Sequence, residues 1–316
     1  MILSIRKTIF FGLLASWLCL AWSAPVLAAS PSPARVALLV SSERAPFREA
    51  TEGVRELLQG KAGGVDLSIH TLVGTEEEAM AVVAKVKKGK PDLILALGTA
   101  ALNAACAQRG DVPIVAGMVL DRRDIPRQRN VGGVVLDIPL QTQMEWMRRM
   151  FPKMLNVGVL YNSAENGEGV AAASEIAATY GFRVVPRQVD DPQDLPEALE
   201  RLAKEADVLW GISDRVVLTP QTAKSILLFS FRNRIPFVGL SRAWVKAGAL
   251  YALDRDYRDI GRQCGELALR ALQGQAPEGL PVESPRKITY SLNLKTARKM
   301  KIGLPPSLVD GAQETF

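Results

Sequence analysis

From residue 35 onward, short apolar runs alternate with longer amphipathic ones. The short runs predict strands at Val36–Val40, Val65–His70, Asp92–Leu97, Pro113–Met118 and Val131–Leu136. The longer ones predict helices at Pro46–Leu58, Glu76–Lys88 and Ala100–Gln108. In Glu76–Lys88, Ala79, Val82, Val83 and Val86 fall on one stripe, the spacing of a helix that buries one face. Strands that are Val, Ile and Leu almost throughout need apolar cover on both faces. With helices between them, they imply a parallel sheet layered by helices.

The pattern then restarts. Asn156-Val157-Gly158-Val159-Leu160-Tyr161-Asn162 matches Arg35-Val36-Ala37-Leu38-Leu39-Val40-Ser41. Asp207–Ile212 matches Asp92–Leu97, and Pro236–Gly239 matches Pro113–Ala116. Three matches in order, at an offset of about 120 residues, predict two domains of one architecture. The fold class is therefore α/β, with two doubly wound parallel-sheet domains and a ligand cleft between them. Domain one is expected at 35–140 plus 254–275, and domain two at 150–245 plus 282–305. The linkers are expected near 141–149, 246–253 and 276–281. A strand order of 2-1-3-4-5 puts Cys106 and Cys264, the latter on a return helix Arg258–Leu272, on opposite sheet faces. They are expected to be unpaired, small buried residues.

The N-terminus changes the setting. Arg6 and Lys7 precede the apolar stretch Ile9–Trp22 and the small-residue segment Ser23–Ala29. This is the layout of a cleaved secretory signal, residues 1–28, and predicts a periplasmic protein of about 288 residues. The apolar stretch is short for a spanning helix, which needs about 20 residues. Bulky residues before Cys19 argue against a lipid anchor. The formal net charge of +6 includes Arg6 and Lys7 and is spread along the chain, without a basic, aromatic-interleaved patch. Nucleic acid is not an expected partner.

Candidate chemistry lies at the carboxyl ends of the strands, where open α/β sheets bind ligands. In the first half these residues are Ser41, Ser42, Thr99, Ala100 and Asp121. In the second they are Asn162, Ser163, Ser213, Asp214 and Ser241, with Arg242 beside them. Hydroxyl, amide and carboxylate side chains there serve equally as helix caps. Catalytic equipment is sparse. His70 is the sole histidine and sits in a predicted strand, so neither a Ser–His–acid set nor a metal cluster assembles readily. No Gly-rich phosphate loop followed by Lys is present. The expectation is a binding protein, not an enzyme, with no cofactor and no metal.

Four stretches carry a resemblance. They are Asp92–Ala101, Asn156–Ser163, Gly261-Arg262-Gln263, and the C-terminal Pro281–Lys287 followed by Asn293–Met300. Together they resemble the ABC transporter substrate-binding family related to the tryptophan-binding protein, with the type I periplasmic-binding fold. The resemblance implies three linking strands and hinge closure on one ligand, an amino acid or similar zwitterion or carboxylate. It further implies an ABC permease in the inner membrane as partner to a monomeric binding protein. By the same resemblance, the ligand hydroxyls are Ser41, Ser42 and Thr99. The acids are Asp121, Asp214 and Asp254 or Asp256. The expected roles are a carboxylate held by Thr99 and the N–H groups at Ala100-Ala101, and an ammonium paired with Asp214. Ser41, Asn162 and Ser241 add hydrogen bonds, and Phe47, Tyr161 or Trp244 supplies an apolar wall. The chain departs from the family pattern at Leu120, at Ala100, and in an expected loop Ala164–Gly169. Other readings are a periplasmic sensor for a receptor kinase or cyclase, an α/β hydrolase or transferase, and a scaffold that binds no small molecule.

Overall fold

The computed structural model describes residues 32–59, 64–72, 74–107, 110–275 and 279–316. The expected signal at 1–28 and part of the expected linker 276–281 lie outside these.

The first half runs β1 (Ala34–Val40), α1 (Ala45–Gln59), β2 (Val65–Thr71), α2 (Glu76–Lys88), β3 (Leu93–Leu97), α3 (Thr99–Ala107), β4 (Ile114–Val119) and β5 (Val131–Val135). Then follow α4 (Leu140–Met150), β6 (Asn156–Tyr161), α5 (Ser163–Thr179), β7 (Arg183–Gln188), α6 (Leu195–Leu202) and β8 (Val208–Trp210). Next come α7 (Pro220–Asn233), β9 (Phe237–Gly239), α8 (Arg242–Ala247), β10 (Tyr251–Arg255) and α9 (Tyr257–Leu272). The chain ends with β11 (Val282–Glu283), β12 (Ile288–Leu292), α10 (Leu294–Met300), α11 (Pro306–Asp310) and β13 (Glu314–Thr315).

The strands form two sheets, ordered β11-β5-β4-β3-β1-β2 and β13-β12-β10-β9-β8-β6-β7. The winding 2-1-3-4-5 of the first half recurs as 7-6-8-9-10, so the repeated sequence segments occupy equivalent strands. A polar detail repeats with them. Asp92 Oδ2 accepts from Arg35 N–H at 2.8 Å, and Asp207 Oδ2 accepts from Asn156 N–H at 2.8 Å. Each aspartate precedes a central strand and ties its amino end to the first strand of its own half.

Apolar strands with helices on both faces bury β3, β4 and β5 completely. Cys106 packs with α2 and α3 residues on one face of the first sheet; Cys264 packs with α1 and α9 residues on the other. Burial pushes the Cys264 thiol up to about 12. His70 lies on edge strand β2, within 3.2 Å of the Ser68 hydroxyl.

Three boundaries differ from the sequence expectation. Residues 141–149, expected as a linker, form most of α4, whose Met144, Met147 and Met150 are buried in the core of the second half. Val282–Glu283, expected with the second half, pairs with β5 in the first sheet. Its approach uses Gly132, where a Cβ would lie 2.5 Å from Pro281 O. Tyr251–Arg255, expected as linker and start of domain one, lies in the second sheet between β9 and β12. Tyr251 and Ala252 are buried there, and that burial decides the pairing.

Three segments therefore cross between the sheets: β5 to α4, β10 to α9, and β11 to β12. Each leaves or enters at a carboxyl edge, so the two carboxyl edges are joined edge to edge. The crossovers lie side by side. Arg255 Nε donates to Leu136 O at 2.9 Å, and Asp256 N–H donates to Lys287 O at 3.1 Å. The third is held to α9 by Arg286, which pairs with both Asp259 and Glu266.

The expected loop at Ala164–Gly169 is instead the start of α5. Asn162 caps it, accepting from Glu165 N–H at 3.1 Å. This cap outweighs two helix-weakening glycines, Gly167 and Gly169, which face open space. Gly169→Ala is expected to raise stability by about 0.5–1 kcal/mol, seen as a higher denaturation midpoint in urea. A lower midpoint would mean the open face is occupied in solution.

Candidate functional site

Most sequence-predicted residues lie along the two carboxyl edges, but their present partners differ sharply. On the first edge, Ser41 follows β1. Its N–H donates to Leu97 O at 2.9 Å, and its Oγ accepts from Ala101 N–H at 2.9 Å. Ser41 thus caps α3 from a neighbouring strand, a role sequence spacing does not reveal. The cap requires a side-chain-free position at Gly98, with φ of +99°, where a Cβ would sit 2.5 Å from Ser41 Oγ. Ser42 Oγ accepts from Arg44 N–H at 3.2 Å.

Thr99 and Ala100 open α3 and are exposed. Among the described residues, their N–H groups and the Thr99 hydroxyl have no hydrogen-bond partner. Free N–H groups at a helix start favour an anion.

The next strand, β4, ends irregularly. Its register with β5 shifts between Gly117 and Val119, where Met118 adopts φ of +58°. Bulges of this kind re-aim the residues that follow. Here Leu120 emerges 67% exposed. Asp121 turns onto its own loop, accepting from Arg123 N–H at 2.7 Å and pairing with the Arg123 guanidinium at 2.6 Å. That side-chain bond holds its carboxyl below the usual range. After β5 comes Asp137, absent from the sequence-predicted set.

On the second edge the polar residues are largely occupied. Asp190 accepts from Ser163 N–H at 2.8 Å, Ser163 Oγ at 3.0 Å and Asn162 Nδ2 at 3.1 Å. Asp214 is 5% exposed. Its Oδ2 accepts from Asn162 N–H at 2.7 Å and Asn166 Nδ2 at 2.8 Å; its Oδ1 accepts from Val216 and Val217 N–H, both at 2.8 Å. Burial pushes the Asp214 carboxyl up, but these bonds together hold it below its ordinary value. The expected ammonium role does not match this geometry, because both oxygens are already spent on the chain. Ser213 is exposed, and its carbonyl accepts from Asn166 Nδ2 at 3.1 Å. The Ser241 side chain makes no cap bond to α8. Arg242 is drawn away to Glu314, at 2.6 Å.

At the second crossover, Asp254 Oδ1 accepts from Arg255 N–H at 2.8 Å and Tyr257 OH at 3.1 Å. Asp256 caps α9 and pairs with Lys287 at 2.5 Å. Of the expected walls, Trp244 packs edge-on to Phe237 in the second core and Tyr161 packs into the other second-half cluster. Phe47 stands beside Gly98 on the first edge. Among the described residues, no group of three or more His, Cys, Asp or Glu side chains is placed to hold a metal.

Residues 35–316 match the family described as ABC transporter substrate binding protein. The chain belongs to this family. It is 25% identical over 228 residues to a tyrosine-binding protein of Clostridioides difficile, a match spanning 69% of this chain and 66% of that relative. It is 23% identical over 275 residues to an uncharacterized protein of Rickettsia prowazekii, spanning 85% of this chain and 86% of the relative. Among solved structures it resembles a ligand-free, open substrate-binding protein with adhesive properties from Clostridium difficile. There the TM-score is 0.70 at 21% identity, over 89% of this chain and 98% of that one. It also resembles an ABC domain in complex with L-Trp from Streptococcus pneumonia. The TM-score is 0.55 at 20% identity, over 90% of this chain and 100% of that one. The fold is that of the type I periplasmic-binding proteins, and the family is one of substrate-binding proteins. Among the described residues, no helix is long and apolar enough to cross a membrane.

Proposed function

We propose that the chain, exported to the periplasm and freed of residues 1–28, captures an amino acid or related small carboxylate. It then delivers the ligand to an ABC permease in the inner membrane. The observation that carries the reading is the partnerless, exposed start of α3 at Thr99-Ala100, on an edge where this family's fold closes. A ligand carboxylate there accepts from the N–H groups and the Thr99 hydroxyl. Ser42, Asn162, Ser163, Ser213 and Ser241 lie on the edges that would close over it, and the crossovers bend as they do so. The tyrosine-binding relative and the tryptophan-bound neighbour support an amino acid as cargo.

The test is a thermal-shift screen on residues 29–316, unfolded and refolded to strip bound ligand. Tyrosine, tryptophan, aliphatic amino acids and small carboxylates are the candidates. At about 100 times its Kd, a true ligand adds roughly 2.7 kcal/mol of stability, a clear rise in midpoint. No shift with any amino acid or carboxylate would overturn the reading.

A further inference from the structure

The positive charge that is spread along the chain is not spread evenly over the surface. Three helices of the second half, α7, α8 and α10, contain no acidic residue. Strand directions bring their ends together. β8, β9 and β10 run parallel, so α7 and α8 end at the amino edge, where β9 and β10 begin. β12 is antiparallel to β10 and delivers α10 to the same edge. Side chains join the elements there. Asn293 Nδ2 donates to Val245 O at 2.8 Å, and Thr296 Oγ1 donates to Gly248 O at 3.1 Å. The Lys299 ammonium lies 5.3 Å from the centre of the Phe231 ring. This pole is the end of the second sheet away from the cleft.

Its cations lack partners. Elsewhere arginines meet carboxylates: Arg35 with Asp92, Arg187 with Glu205, and both Arg258 and Arg262 with Glu56. At the pole, Glu314 pairs with Arg242 and lies near Lys246. Arg232, Arg234, Lys295, Arg298, Lys299 and Lys301 are exposed and, among the described residues, form no ion pair. Apolar surface accompanies them. Lys224, Leu228 and Phe231 follow one outward stripe of α7. Leu228 is 43% and Phe231 38% exposed.

Cations around exposed Leu and Phe suit a bilayer interface. There apolar tips enter the headgroup layer, and flexible stems carry the charges to phosphates. Lipid phosphates move to meet those charges, so no fixed acidic partner has to match them. A single-stranded nucleic acid would want free aromatic faces for stacking, and Lys299 already sits over Phe231. We propose that this pole docks on a bilayer surface rich in anionic headgroups, holding the second half to the membrane face while the cleft side stays open to ligand. The proposal is independent of the cargo.

The test is co-sedimentation of residues 29–316 with vesicles of phosphatidylcholine alone, or mixed with phosphatidylglycerol. Every described strand and helix begins at Ala34 or later, and the apolar stretch Ile9–Trp22 would itself enter lipid. The wild type should bind the mixed vesicles, ignore the neutral ones and be released by strong salt. Each cation near an anionic surface contributes about fivefold, so Arg232→Gln with Lys299→Gln should weaken binding by about 25-fold. Phe231→Ser should weaken it too. Lys85→Gln with Lys88→Gln, at exposed positions on α2 in the other half, makes the same change in net charge and should leave binding unaltered. Circular dichroism checks that each variant folds. Equal binding to both vesicles, no binding to either, equal losses in the two double variants, or full binding by Arg232→Gln with Lys299→Gln would each overturn the proposal. So would binding to heparin without binding to vesicles, which would make a soluble polyanion the partner.

Discussion

Asp214→Ala is expected to destabilise the protein by about 3–5 kcal/mol, because it strands four donors at once. The N–H groups of Asn162, Val216 and Val217, and the Asn166 amide, converge on one buried carboxylate. Each donor left unpaired costs about 1–3 kcal/mol, less where water reaches it. In a domain of this size the midpoint should fall by about 10 °C. Asp214→Asn should not rescue it: the amide offers one oxygen, and its NH2 faces two donors. The pH dependence follows from the lowered carboxyl. A group whose folded value lies below its unfolded value of about 3.9 stabilises above that pH and loses the contribution as pH falls through the folded value. Wild type and Asp214→Ala should therefore converge below about pH 4. The measurement is urea denaturation of both proteins between neutral and acid pH. A constant gap would show that the carboxylate's charge is not what holds the rim.

Gly261→Ala should cost about 3 kcal/mol or more, against the usual trend. In an exposed helix interior, replacing Gly by Ala gains about 1 kcal/mol, as expected for Gly169. Gly261 is buried where α9 lies against α1. A Cβ there would sit 1.9 Å from Ala50 O, and one at Gly53 would sit 1.9 Å from Arg258 O. Backbone cannot rotate aside as a side chain can, so the two helices must part. Overpacking of this kind typically costs about 1–3 kcal/mol, occasionally more. Here separation also opens contacts among Val54, Leu58, Ile260 and Leu267. Because α9 begins directly after the second crossover, the shift reaches Asp254 and Arg255. Thermal denaturation beside Gly169→Ala checks the sign: one midpoint should fall and the other rise. A rise in both would mean that the helices have room to spare.

Periodicity and composition determined much of this protein. The strands of the first half, their order, the repeat in the second, and the opposite placement of Cys106 and Cys264 follow from apolar runs and right-handed crossovers. These are properties of residues close in sequence, repeated by rule. The carboxyl-edge residues were also legible as a set, since a strand end followed by a hydroxyl or amide marks a place in the fold.

Their individual duties were not legible. Ser41 is bound to a helix that begins nearly sixty residues later, and Asp214 to an amide and a backbone N–H some fifty residues earlier. Spacing carries no signal for such bonds. Met118 shifts the register of β4 and so exposes Leu120; a bulge depends on how two strands pair, not on either alone. The same holds for Val282–Glu283 and Tyr251–Arg255, whose sheet membership depends on which neighbour had room for a backbone or an apolar ring. Only the tertiary structure shows that Asp190 and Asp214 are already engaged by their own rim, because that engagement is decided by residues distant in the chain and close in space.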